Sequence, residues 1–187
     1  MRSLQPEIVV LALAISLLEI NNAGEPPKHK DKSKPVRAAL EYRYVEMRAA
    51  YLVGDSSMVL ANRHPDCFSI SPRGDTVDCQ AMRSYIRTSF EQVESTTALE
   101  WKLGVIDVHG DTAAAEVDQH WVRRQLKGGA VRDVDTRAQQ RETWIREGGD
   151  WFLWRIDHIR PGVWLVDGKR IDPSKPYDPK APEYRPE

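Results

Sequence analysis

Three side chains in the C-terminal half have the types and spacing that acid–base chemistry needs. Asp118 and His120 are two residues apart in an alternating segment, so a strand would point both to the same face. His158 lies near the end of a later, aromatic-rich segment. An imidazole near a carboxylate can accept and return a proton near neutral pH, as isomerases, cyclases and dehydratases require. The alternative is that Asp118 and His120 lie on a solvated strand face and that His158 is a hydrogen-bonded histidine at the rim.

Other catalytic and metal-binding signatures are missing from the sequence. The five histidines show no His-x-x-x-His spacing, and the two cysteines are not in a Cys-x-x-Cys motif. Neither a Gly-x-Ser-x-Gly motif nor a glycine-rich phosphate loop occurs. We therefore predict no metal, no cofactor and no nucleophilic catalysis.

The two cysteines flank the Pro72-Arg73-Gly74 turn almost symmetrically. In a hairpin that turns there, Cys67 and Cys79 would face each other at a separation that a disulfide tolerates. Closing so short a loop would stabilise the fold by roughly 3 kcal/mol if the effect comes from chain entropy. We predict a disulfide between Cys67 and Cys79, and two buried free thiols are the alternative.

Aromatic residues concentrate on both sides of Gly148-Gly149, which predicts a β-hairpin that turns at the two glycines. Strict alternation would place Arg141 and His158 on one face, and Glu142 and Trp144 on the other. Both faces would then carry bulky apolar groups. We expect helices to cover one face and a second subunit to cover the other, which predicts a cavity and a homodimer.

The apolar periodicity places helices before the strands. Spacing of three to four residues predicts a long helix over 36–54, and Asp55 and Asp78 are natural N-caps of two further helices. Alternation then predicts antiparallel strands over 99–105, 112–126, 134–147 and 151–160. The predicted fold class is α+β, with three N-terminal helices packed in the concave face of a curved, mainly antiparallel sheet.

This order of elements over residues 36–160 resembles the SnoaL-like, or nuclear-transport-factor-2-like, α+β cone. The segments that carry the resemblance are Tyr-Leu-Val-Gly-Asp at 51–55, the strand and turn at 68–74, and Gly-Gly-Asp-Trp at 148–151 leading into 155–158. The resemblance implies a cavity between the sheet and the helices, which some members use for small apolar ligands.

The enzyme nearest to this resemblance is ketosteroid isomerase, and its three catalytic roles are not filled here. Its general-base aspartate precedes a proline in a turn where this chain has Ser71. Its helix tyrosine aligns with Met47, and its protonated acid falls near Arg141. Because serine cannot move a proton from carbon at neutral pH without an activating base, we predict no recognisable catalytic set.

Large aromatic residues and a few polar groups are the candidates for lining the cavity. Aromatic side chains supply broad apolar walls, and a small number of polar groups orients a ligand. The predicted ligand-binding residues are Tyr44, Tyr85, Trp101, Trp121, Arg141, Trp154 and His158. The predicted function is binding of a small apolar ligand or a protein partner, and the alternative is an isomerase, cyclase or dehydratase that uses Asp118, His120 or His158.

The charge balance argues against a polyanionic partner. The chain of 187 residues has 27 basic and 28 acidic residues, mixed in order, so no basic stripe is available to nucleic acid. We predict that the protein does not bind nucleic acid.

The two ends of the chain differ in composition from the domain between them. An apolar run at 8–18 suits a secretory signal and is too short to span a bilayer, so we predict a signal peptide over 1–23 and export without a membrane span. A disordered or interfacial leader is the alternative. We predict a polar linker over 24–35 and a Pro-rich tail over 161–187 that does not continue the sheet, although Trp164-Leu165-Val166 would dock on the domain surface.

Overall fold

Three helices lie within residues 33–186, which are the residues that the computed structural model describes. They are α1 (Ser33–Val53), α2 (Ser56–Ala61) and α3 (Cys79–Gln92). As predicted, Asp55 and Asp78 cap α2 and α3, and their carboxylates accept backbone N–H bonds at 2.8 Å from Ser57 and Ala81. No helix within 33–186 has the length and apolar character needed to cross a membrane. The predicted signal peptide lies outside the described residues.

The sheet contains eight strands with one main path, β2-β1-β6-β5-β4-β3. β1 pairs with β6 in parallel, and every other pair within this part of the chain is antiparallel. The predicted α+β class, with helices in the concave face of a curved and mainly antiparallel sheet, is confirmed. The strand bounds are β1 (Arg63–Ile70), β2 (Thr76–Asp78), β3 (Val93–His109), β4 (Thr112–Lys127), β5 (Ala130–Glu147), β6 (Asp150–His158), β7 (Val163–Val166) and β8 (Lys169–Arg170).

β5 is long enough to pair with two strands along the same edge. Residues 140–147 pair with β6, and residues 134–137 pair with β7. The prediction that the tail does not continue the sheet is therefore wrong for 163–166. This segment is apolar and contains no proline, so its backbone can pair with the part of β5 that β6 does not reach. The docking predicted for Trp164-Leu165-Val166 is confirmed.

The hairpin of β5 and β6 turns at its two glycines as predicted, but its register contains a bulge. Trp144 lies opposite Leu153, whereas the preceding residue, Thr143, lies opposite Arg155. Trp154 is therefore one extra residue on β6. A single extra residue reverses the alternation of faces beyond it.

The bulge moves the end of β6 to the other face of the hairpin. Ile156 lies opposite Glu142, and His158 lies opposite Gln140. The predicted shared face of His158 and Arg141 is thus wrong, because the prediction assumed strict alternation. His158 instead lies on the concave face, toward the helices.

The predicted disulfide is present and ties the helical layer to the sheet. Cys67 of β1 and Cys79 at the start of α3 are bonded, with their Cα atoms 4.7 Å apart. Both cysteines belong to an apolar cluster formed with α1, α2 and α3. A second cluster lies between α1 and strands β3–β6 and includes Leu40, Tyr44, Met47, Val117, Trp144 and Leu153.

Candidate functional site

A cavity of about 450 Å³ lies between the concave face of the sheet and helices α1 and α3. Small-molecule sites in proteins are typically clefts of about 300–1,000 Å³ with mostly apolar walls and a few polar groups. The apolar and aromatic lining residues are Met47, Tyr51, Met82, Tyr85, Ile86, Trp101, Trp121, Leu153, Ile156 and Trp164. This space has the size and character of a ligand site.

One wall of the cavity is a cluster of aromatic rings around Tyr51. The centroid of its ring lies 4.9 Å from those of Phe90 and Trp121, and 5.6 Å from that of Trp101. Edge-to-face contacts at these distances stabilise aromatic clusters beyond their buried area. The wall is therefore held in a fixed arrangement before any ligand binds.

A buried carboxyl group, Glu142, also forms part of the cavity wall and is only 2% exposed. The hydroxyl of Tyr44 on α1 donates a hydrogen bond to its Oε2 atom, and Trp144 Nε1 donates to the same oxygen at 3.2 Å. Gln140 Nε2 donates to the other oxygen, Oε1, at 2.5 Å. Both oxygens thus have partners from the protein itself.

Burial raises the pKa of Glu142 above its ordinary value, although the hydrogen bond from Tyr44 and the charge of Arg63 oppose the shift. Burial and the neighbouring Glu142 raise the pKa of Tyr44 well above its ordinary value. Low dielectric surroundings disfavour the charged form of each group. Burial therefore favours the protonated form of the Glu142 carboxyl group and the neutral form of the Tyr44 phenol.

Arg63, the first residue of β1, places a guanidinium group in the cavity wall. Its Nη1 atom donates only to the sulfur of Met82, at 3.0 Å, and sulfur is a weak acceptor. Its Nε atom is buried and has no hydrogen-bond partner within residues 33–186. Burial lowers the pKa of Arg63, as expected for a cation removed from water.

A second buried arginine, Arg123 of β4, lies behind the aromatic wall and is 2% exposed. Its guanidinium carbon lies 3.7 Å from the ring centroid of Trp121 and 5.6 Å from that of Trp164. It donates to neutral oxygens of Gln125 at 2.8 Å and Thr136 at 3.0 Å. Burial lowers its pKa to about 10.

His158 is half-buried and lines the cavity where the chain leaves β6. Burial lowers the pKa of its imidazole, and the charge of Asp157 opposes that shift. The neutral imidazole is thus favoured inside the protein, and a neutral imidazole can accept a proton.

Gly162 also lines the cavity, where the chain crosses from β6 to β7. A Cβ atom built on this glycine would lie 3.0 Å from the carbonyl oxygen of Arg137. The absence of a side chain allows the crossing segment to pass against β5, so that β7 can pair and Trp164 can reach the cavity.

The predicted ligand-binding residues divide between the two faces of the sheet. Tyr85, Trp101, Trp121 and His158 line the cavity, and Tyr44 lies behind its wall, bonded to Glu142.

Arg141 and Trp154 do not line the cavity. Arg141 alternates with Gln140 and Glu142 and forms an ion pair with Asp107 on the outer face, at 3.0 Å. Trp154 is the bulged residue and packs on Phe68, with ring centroids 5.2 Å apart. Arg141 lies on the outer face because it alternates with the inward-facing Gln140 and Glu142. Trp154 lies there because it is the extra residue of the bulge.

The three candidate acid–base residues do not form one site. Asp118 and His120 line an open depression on the outer face of the sheet, whereas His158 lies on the concave face. His120 Nε2 lies 3.0 Å from Asp135 Oδ1 on the neighbouring strand. Asp118 and His120 therefore belong to the solvated face that was the alternative interpretation.

Three polar residues that line the cavity were not predicted from the sequence, namely Glu142, Gln140 and Arg63. The isomerase alignment pointed to Met47 and Arg141, whereas the interacting tyrosine and acid are Tyr44, three residues earlier, and Glu142, one residue later. Alternation from the inward-facing Trp144 would have placed Glu142 and Gln140 on the concave face.

Metal binding has no support in the described part of the chain. No three His, Cys, Asp or Glu side chains within 33–186 come together in an arrangement that could hold an ion.

Solved structures with the same architecture are numerous. A conserved protein from Planctomyces limnophilus DSM 3776 has a TM-score of 0.56 at 14% identity, covering 71% of this chain and 98% of its own. A putative scytalone dehydratase from Novosphingobium aromaticivorans DSM 12444 has a TM-score of 0.56 at 15% identity, covering 81% and 95%. An NTF2-like protein from Cytophaga hutchinsonii ATCC 33406 has a TM-score of 0.50 at 14% identity, covering 67% and 98%.

These likenesses define the class of protein. The chain has the NTF2-like, or SnoaL-like, cone fold, and the resemblance seen in its sequence is confirmed. No family model and no curated protein matches the sequence. At such low identities the similarity concerns the fold, and function has to be sought in the site itself.

Proposed function

We propose that this domain binds a small, largely apolar molecule in the cavity of its cone. The observation that carries the proposal is the cavity of about 450 Å³, whose walls are mainly aromatic and aliphatic. A few polar groups converge on it, among them Arg63, Gln140 and His158. Pockets of this composition bury most of a ligand's surface and use the polar groups for orientation.

The test is a screen of lipids, steroids and polyketide-like compounds, read by thermal shift and by tryptophan fluorescence. A ligand that binds the native state raises its stability by mass action. Because Trp101, Trp121 and Trp164 line the cavity, we expect bound compounds to change the intrinsic fluorescence as well.

A matched pair of variants on β5 locates the binding. Ala138 lines the cavity and also borders the outer depression, whereas its neighbour Gln139 borders the depression and not the cavity. Ala138→Phe should therefore abolish the shift, and Gln139→Phe should preserve it. Melting temperatures without ligand establish that both variants fold. Equal binding by both variants, or no binding by the parent protein, would contradict the proposal.

Proton-transfer catalysis is the second candidate function, of the isomerase or dehydratase kind. The observation that favours it is the cavity's combination of Glu142, whose pKa is raised, and His158, whose pKa is lowered. A neutral imidazole would accept a proton, and a protonated Glu142, held in place by the hydrogen bond from Tyr44, would donate a hydrogen bond to the developing oxyanion.

This second candidate is tested by proton exchange. Cyclic ketones incubated with the protein in D₂O should lose their α-protons in the NMR spectrum, and His158→Gln should slow the exchange by about 10²-fold or more. The outer-face variant His120→Gln is the control. Exchange at the uncatalysed rate, or exchange unchanged by His158→Gln, would exclude catalysis by His158.

Export to an oxidising compartment is supported by the disulfide between Cys67 and Cys79. Disulfides persist in secreted and periplasmic proteins and are rare in the cytosol. Mass mapping under non-reducing conditions should recover the two cysteine peptides linked in protein isolated from its source. Two free thiols in that sample would remove the support for export.

Homodimer formation through the outer face of the sheet also belongs to this proposal. Phe68 and Trp154 pack together there and are each half-buried, which leaves aromatic surface for a second copy. Native mass spectrometry should show a dimer that Trp154→Arg converts to monomer. A parent protein that is monomeric throughout would refute the dimer.

A further inference from the structure

We propose that the ligand of this cavity carries one anionic group, a carboxylate on an aromatic or aliphatic body, and that this group pairs with Arg63. The inference rests on the proposed function, because it specifies the chemistry of the molecule that the cavity takes.

The first support is the state of the Arg63 guanidinium. Its one hydrogen-bond acceptor within residues 33–186 is the thioether sulfur of Met82, and its Nε atom has none. A cation withdrawn from water is costly unless it is paired and hydrogen-bonded. The planar guanidinium is suited to bidentate pairing with a carboxylate, so a bound carboxylate would supply the missing acceptors.

The second support is that the nearest acid cannot satisfy this cation. Glu142 acts on Arg63 only through its field, and no carboxylate of the described chain forms an ion pair with the guanidinium. Both oxygens of Glu142 already accept hydrogen bonds from Tyr44, Trp144 and Gln140. The geometry leaves Arg63 available to a molecule from outside.

The third support is the balance of buried charge around the cavity. Arg63 and Arg123 both lack an ion pair within the described chain. The charge of the buried Glu142 acts on Arg63, and the charge of Asp135 acts on Arg123. An anion placed against Arg63 would supply a charge-assisted partner in surroundings that screen it weakly. The apolar body of the same molecule would lie against Met82, Ile86 and Trp121.

The experiment compares pairs of probes that differ in charge alone. Naphthalene-2-carboxylate is set against 2-naphthamide, and dodecanoate against dodecanamide, with affinity read by calorimetry and tryptophan fluorescence. We expect each carboxylate to bind roughly tenfold to a hundredfold more tightly than its amide, the usual gain for a hydrogen bond to a charged group.

Two variants assign the preference to Arg63. Arg63→Met should remove the preference for carboxylates while the amides still bind, and Arg63→Lys should restore part of it. Arg83→Met is the matched control, since Arg83 borders the adjoining depression that Arg63 also reaches, and its charge acts on Arg63, but it does not line this cavity. The control should keep the full preference.

The possible results distinguish a failure of the proposed role of Arg63 from a failure of the proposed ligand binding. Equal binding of acids and amides, blocked by Ala138→Phe, would leave the proposed function standing and overturn the role of Arg63. Binding of neither member of any pair would overturn both. An unchanged carboxylate preference in Arg63→Met would overturn the role of Arg63 alone.

A stability measurement gives an independent readout. If Arg63 is retained for a ligand, Arg63→Met should keep or raise the melting temperature of the ligand-free protein, since it removes a half-buried cation that forms no ion pair within the described chain. A lowered melting temperature would instead indicate a structural role and would contradict the inference.

Discussion

On the outer face of the sheet, charged side chains find partners of opposite charge, whereas the arginines near the cavity do not. Arg141 pairs with Asp107 at 3.0 Å, and Arg155 pairs with Asp157 at 2.8 Å. Arg63 and Arg123 reach only neutral acceptors within the described chain. Charged side chains on the outer face therefore form ion pairs, whereas these two arginines form none within the described chain.

This difference between the two faces distinguishes charges that water can solvate from charges that are withdrawn from water and lack an ionic partner. Exposed ion pairs cost little and contribute little, because water and salt screen them. A cation that is withdrawn from water without an ionic partner is costly, so its presence calls for a counterpart that the described part of the chain does not provide. Asp118 and His120 resemble a catalytic pair in the sequence, but they lie on the solvated outer face of the sheet.

The largest expected contrast is between the two tryptophans of the β5–β6 hairpin that face opposite ways. Trp144 is fully buried, at 0% exposed, so Trp144→Ala should lower the free energy of unfolding by about 3–5 kcal/mol. Trp154 lies half-buried on the outer face, and Trp154→Ala should cost about 1 kcal/mol in the monomer. Urea unfolding of both variants measures the contrast, and equal losses would contradict the assignment of faces.

The next contrast concerns pH. The pKa of Glu142 is raised in the folded protein, so this group's contribution to stability is present below its ordinary pKa of 4.5 and is lost as pH rises through the folded value. Glu142→Gln cannot titrate and should remove this part of the pH dependence.

Urea midpoints across the pH range measure this effect, and Asp107→Asn on the outer face is the control. The control should retain the decline in stability with rising pH that the parent protein shows. A parallel pH profile for Glu142→Gln and the parent protein would mean that the pKa of Glu142 is the same in the folded and unfolded states, and it would contradict the raised pKa.

The smallest expected effect belongs to an outer ion pair. Arg141 is 46% exposed, and Arg141→Gln should change the free energy of unfolding by less than about 1 kcal/mol. Added salt should reduce even this difference. A loss of several kcal/mol would mean that the outer face is covered in solution, as the proposed dimer requires.

Much of the fold followed from periodicity and turn chemistry. The caps Asp55 and Asp78, the turn at Gly148-Gly149 and the pairing of Cys67 with Cys79 are local features, each readable from a few neighbouring residues. The order of elements then favoured one architecture. Local signals were sufficient because each agreed with the global fold.

The candidate site was harder to predict because it depends on register and on contacts distant in sequence. One extra residue at Trp154 moved His158 to the concave face, and no pattern of residue types marks where such a bulge falls. Arg63 begins β1, five residues before the segment at 68–74 in which the sequence indicated a strand and turn. The parallel pairing of β1 with β6 joins segments far apart in sequence and was not predicted.

The tight passage of Gly162 against Arg137 makes the enclosure of the cavity sensitive to a single methyl group. Alanine at this position would press on the carbonyl oxygen of Arg137, which lies 3.0 Å from the site of the new carbon. Either the carbonyl group or the crossing segment would have to shift by a few tenths of an ångström. This single backbone position therefore sets how closely the segment that carries Trp164 lies against β5, and with it the width of the cavity at that end.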